Sequence, residues 1–182
     1  MLIFQKDSKY YIFIHIPKNG GKYLRDSYKN DKTNKIIKSY WNLQDGIDLA
    51  HIPYFLKDNY IEQGIEYNYF AYVRNPYYRV ISAYFYKWPN RHQNTIKKFV
   101  THELIRYDFS SMGFQSNIIH FYPQHLFVCD KNLDIPSHIE ISKLDEIKHY
   151  NLVDFFDDKC IEIINTIYSK DFQLFNYDVI KP

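Results

Sequence analysis

The sequence predicts an α/β domain in which a central, mostly parallel sheet is flanked by helices, and three observations lead there. An alternating, isoleucine-rich run over residues 11–16 stops at Pro17 and is followed by a glycine turn and an amphipathic segment. The same order of strand, turn and helix returns at residues 69–88. Between and after these units, short apolar runs alternate with segments of helical periodicity, which is the pattern of a sheet covered on both faces.

Taken in chain order, residues 11–16 form a strand buried on both faces, and residues 22–29 a short helix with Leu24 and Tyr28 four apart on one face. Residues 69–73 form the second strand. Asn75 and Pro76 then have the character of an N-cap and a first helical position. Further helices are expected over residues 95–107, 143–149 and 154–168, and further strands over residues 35–39, 125–129 and 139–142. With 182 residues, 46% of them hydrophobic, and no linker, repeat or low-complexity tract, a single domain over residues 1–182 is the natural organisation.

Charge and cysteine content narrow the function classes. A net charge of +2 is too balanced for a general nucleic-acid or membrane binder, so any anion site must be local. Cys129 and Cys160 lie far apart without a CxxC partner, which argues against a zinc site and suits a reducing compartment. The apolar run before Pro17 is far short of the roughly 20 residues of a spanning helix. With no secretory signal in view, the expectation is a soluble, cytoplasmic protein without a membrane anchor.

Two stretches carry chemistry. In "PKNGGKY", Gly20 and Gly21 let successive N–H groups converge at the start of a helix, and Lys18 and Lys22 add charge. The loop is not a Walker A motif, because Ile16 stands where a glycine is needed and Tyr23 where a Ser or Thr would hold Mg²⁺. Alone, it fits a phosphate cradle and a plain strand-to-helix turn equally well. In "VRNPYYRVISAY", Arg74 falls at the C-terminal end of a strand, where open α/β sheets bind ligands, and Ser82 lies two turns into the next helix. A guanidinium fork and a hydroxyl can hold a second phosphate.

"FIHIPKNGG" resembles the 5′-phosphosulfate loop of sulfotransferases, and "VRNPYYRVISAY" resembles their 3′-phosphate motif, at the spacing found in carbohydrate-type, sulfotransferase family 2-like enzymes. Looser likenesses lie in "AHIPYF", "FYPQHLFV" and "INTIYSKDFQLFNY". The resemblance implies a three-layer, P-loop-like fold and 3′-phosphoadenylyl sulfate (PAPS) as co-substrate, with 3′,5′-ADP (PAP) as product and no metal. It implies that Pro17, Lys18, Asn19, Gly20, Gly21, Lys22, Tyr23, Arg74 and Ser82 hold the donor. Lys18 would then stabilise the departing oxygen, and His51, in the segment where such enzymes commonly place their base, would take the acceptor's proton. His15 is expected to be structural.

The partner implied is a hydroxyl-bearing acceptor, a glycan or small molecule, and no nucleic acid. One departure is plain: Lys22 and Tyr23 stand where the family has Thr or Ser. Two alternatives remain beside this reading. One is a nucleotide-dependent phosphotransferase, and the other is a degenerate, non-catalytic domain that binds a nucleotide or polyanion.

Overall fold

A computed structural model describes residues 1–44, 46–109, 114, 118–144 and 150–182. The chain begins with a hairpin of β1 (Leu2–Lys6) and β2 (Lys9–Ile14) around Asp7 and Ser8, both with positive φ, as a two-residue hairpin turn requires. Helix α1 (Gly21–Asn30) follows, then β3 (Lys35–Ser39) and a small ribbon of β4 (Leu43–Gln44) and β5 (Ile47–Asp48). After two 3₁₀ segments come β6 (Tyr67–Val73), α2 (Pro76–Lys87), α3 (Thr95–His102), α4 (His125–Val128), β7 (Ile139–Lys143), α5 (Asp158–Ile167) and α6 (Ser169–Leu174).

The main sheet has the order β3-β1-β2-β6-β7. Parallel pairing joins β2 to β6 and β6 to β7, whereas β1 runs against both β2 and β3. The sheet is therefore mixed, with a parallel core, rather than mostly parallel throughout. The cause is the first hairpin: its Asp-Ser turn lacks the Asn-Gly signature, so "LIFQK" does not announce itself as a strand. β2 shows why the sheet needs cover on both sides. Ile12 and Ile14 enter one core with Leu126 and Phe127, while Phe13 joins Leu2 and Phe4 under α1.

Several local expectations hold. The Asn75 side chain accepts the Tyr77 N–H at 3.0 Å and so starts α2, with Pro76 in its first turn. Residues 35–39 are β3, and residues 139–142 fall within β7. The segment 95–107 divides at Glu103 into α3 and a 3₁₀ turn over Leu104–Arg106. Likewise, Leu152–Asp154 is a separate 3₁₀ turn, because Asp157 accepts the Cys160 N–H and begins α5 afresh. The helix expected over 143–149 lies mostly outside the described residues, and its first residue, Lys143, closes β7.

One element changes type. The strand expected at residues 125–129 is the short helix α4, whose Leu126, Phe127 and Val128 are all buried. An apolar run covered all round carries no period, so sequence cannot separate strand from helix there. Distant chemistry decides it. The carboxylate of Asp171 on α6 accepts the Gln124 and His125 N–H groups at 2.7 and 2.9 Å, and lies 2.7 Å from His125 Nδ1.

Asp171 is fully buried, so no water can replace it as acceptor. Asp171→Ala is therefore expected to destabilise the protein by about 2–5 kcal/mol, from orphaned buried donors. Urea unfolding measures this, and a loss below about 1 kcal/mol would show that α4 does not depend on the cap.

Candidate functional site

The two chemical motifs meet at the C-terminal ends of β2 and β6, neighbouring parallel strands. The chain leaves β2 through a turn in which Lys18 and Gly20 both take left-handed φ values, 69° and 70°, before α1 begins. A glycine is needed at 21 for a different reason. A Cβ there would stand 1.6 Å from His15 Nε2, so the imidazole lies directly over the start of α1.

A buried side chain fastens the two loops to each other. Gln124 Oε1 accepts the Arg74 N–H at 2.9 Å and the Asn19 amide at 2.8 Å, while its Nε2 donates to the Arg74 carbonyl at 2.8 Å. Asn19 also donates to the Tyr72 carbonyl at 2.7 Å, and Arg79 Nε donates to the Pro17 carbonyl at 3.0 Å. Arg74 Nη1 reaches back to the Lys18 carbonyl at 3.4 Å. Pro17 is thus tied to α2, Lys18 to Arg74, and Asn19 to β6 and Gln124.

The result is a cleft of about 780 Å³, within the range of small-molecule sites. Lys18, Gly20, Gly21, Lys22 and Tyr23 line it from the first motif, Arg74 and Ser82 from the second, and His51 from between them. Two of the expected residues face elsewhere. Pro17 is buried beneath the loop, and the Asn19 side chain is turned inward to Tyr72 and Gln124. Tyr23 is 77% exposed, an open aromatic surface where a small hydroxyl was expected.

Lys18 is the central cation. Its ammonium stands 3.9 Å from the centre of the Tyr86 ring and forms no ion pair with a carboxylate of the described residues. Burial, and then the charges of Arg74 and Arg79, pull its pKa down to about 8. Arg79 is itself buried, with Nη2 lacking any hydrogen-bond partner. Lys18 stands in the cleft without a carboxylate partner among the described residues, and an anion bound there would supply one.

His51 lines the same cleft from a 3₁₀ turn whose start is fixed by Asp48 accepting the Ala50 N–H at 2.9 Å. Its Nδ1–H donates to the His15 carbonyl at 2.8 Å, which leaves Nε2 as the bare nitrogen. Burial lowers its pKa to about 3, so the imidazole is neutral at pH 7 and its 3.9 Å approach to Asp48 is no ion pair there. His15, expected as structural, does pack on Phe13 and Trp41, yet it also lines the cleft and carries a buried, unpartnered Nδ1.

His120, Tyr86 and Trp41 also line the cleft without having been singled out in the sequence. Tyr86 had a usable signal, since it lies one helical turn after Ser82 on the same face of α2. His120, Trp41 and Gln124 had none, because only the fold brings them to the site.

Burial also lowers the pKa of His15 well below 6.5. Groups of this kind stay neutral when folded but charge when unfolded. Their contribution is intact above about pH 6.5 and is lost as the pH falls toward the folded-state values. Between about pH 7.5 and pH 5 each fully buried histidine should cost about 2 kcal/mol of stability. Urea midpoints at the two pH values test this, and the loss should shrink in His51→Asn; an unchanged loss would mean that His51 is not the titrating group. No family model, curated protein or solved structure matches this chain.

Proposed function

We propose that this chain transfers a sulfuryl group from PAPS to an acceptor hydroxyl, that of a sugar. The observation that carries the reading is that Lys18, Gly20, Gly21, Lys22, Arg74 and Ser82, drawn from two motifs far apart in sequence, line one cleft together with His51. An ordinary strand-to-helix turn and a solvated arginine have no reason to converge.

In the proposed reaction the acceptor oxygen attacks the donor's sulfur from the side opposite the leaving phosphate. The new O–S bond forms as the bond from sulfur to the bridging oxygen breaks, and the electron pair leaves with 3′,5′-ADP. Lys18 is suited to meet the charge that develops on the bridging oxygen, because its ammonium is partly desolvated and no carboxylate of the described residues pairs with it. Arg74 and Ser82 are suited to the 3′-phosphate.

The acceptor proton goes to His51 Nε2, the nitrogen left bare by the bond from Nδ1 to the His15 carbonyl. A pKa of about 3 makes the ring a weak base in the empty cleft. The anionic donor raises its basicity once bound, and the Asp48 carboxylate, 3.9 Å from Nε2, faces the imidazolium once it forms.

The protein's melting temperature with 3′,5′-ADP, with ATP and Mg²⁺, and with neither separates this reading from a phosphotransferase. Stabilisation by 3′,5′-ADP is expected, and stabilisation by ATP and Mg²⁺ alone would sink the proposal. His51→Asn keeps a donor for the His15 carbonyl. It should retain the 3′,5′-ADP shift yet lower sulfate transfer to methyl glycosides by about 10² to 10⁴. Binding without transfer in the unsubstituted protein would point to the non-catalytic alternative.

A further inference from the structure

Trp41 is 57% exposed, yet its ring has two close neighbours. The Arg25 guanidinium lies 4.6 Å from its centre, and His15 stacks beside it at 5.9 Å with an interplanar angle of 16°. Arg25 is itself immobile. It is buried on α1 and donates to the Met1 carbonyl, the Ser39 hydroxyl and the Tyr40 carbonyl at 2.7–3.0 Å. A large apolar ring held at the wall of the cleft is a surface prepared for another flat group, because leaving it wet forgoes its burial energy.

Its position says which group. His15 neighbours both Trp41 and His51, at 5.9 and 4.3 Å between ring centres, so the indole and the imidazole flank one shared ring on the cleft wall. Lys22 and Asp26, one turn apart on the exposed face of α1, line the same cleft. A hydrogen-bond donor and an acceptor beside one aromatic face suit a pyranose, which has an apolar C–H face and a hydroxylated rim.

We infer that Trp41, with Arg25 over its ring and His15 beside it, offers its exposed surface as the platform on which the acceptor's pyranose ring rests with a hydroxyl turned toward His51. The inference builds on the sulfotransferase reading, since it assigns the acceptor side of that same cleft.

Saturation-transfer NMR on the full chain, with a panel of methyl pyranosides and with p-nitrophenol, each with and without 3′,5′-ADP, tests the platform apart from the donor. At least one methyl pyranoside should bind, and Trp41→Ala should weaken that binding about tenfold while Trp41→Phe largely restores it. The melting shift with 3′,5′-ADP should be the same in all three proteins. Pyranoside binding unaltered in Trp41→Ala would overturn the inference, as would binding of p-nitrophenol with no pyranoside. Loss of pyranoside binding in Trp41→Ala, in a protein that 3′,5′-ADP fails to stabilise, would uphold the platform and overturn the donor reading alone.

Discussion

The Gln124 carboxamide is the constraint on which the cleft depends. One side chain satisfies both backbone groups of Arg74 and, through Asn19, sets the height of the first loop against β6. It is fully buried, so each of these bonds is made in a low-dielectric interior where a missing partner is costly. Asp171 in turn fixes the backbone at Gln124 and His125. A polar chain thus runs from α6 through the start of α4 to the ends of two central strands, and it explains how residues from four parts of the sequence hold a common geometry.

The positive groups of the cleft stand close together. Arg74 and Arg79 each lower the pKa of Lys18, and no carboxylate of the described residues forms an ion pair with the Lys18 ammonium. His15, His51 and His120 line the same cleft, all pushed toward neutrality by burial. A partly desolvated lysine beside neutral imidazoles suits a site that receives an anion and then a proton.

The sequence made the backbone of the site legible and left its supports hidden. The loop at Lys18, the helix start at Asn75 and the ladder of β6 follow from local rules of turn, cap and alternation, and all three are where those rules put them. The reversed strand β1 was not legible, because an Asp-Ser turn is a poor hairpin signal. Nor was α4, because its four residues are set as a helix by Asp171, 46 positions away. Gln124, Trp41 and His120 reach the cleft only through tertiary packing, and no spacing rule connects residues so distant in the chain.

The central claim is that the cleft holds two phosphates, one at the Lys18 loop and one at Arg74 and Ser82. Calorimetric titration with 3′,5′-ADP and with 5′-AMP measures that claim directly, because the two nucleotides differ only in the 3′-phosphate. The account predicts that 3′,5′-ADP binds about tenfold more tightly or better, and that Arg74→Ala removes the difference while leaving 5′-AMP binding in place. Equal affinity for the two nucleotides in the unsubstituted protein would contradict it.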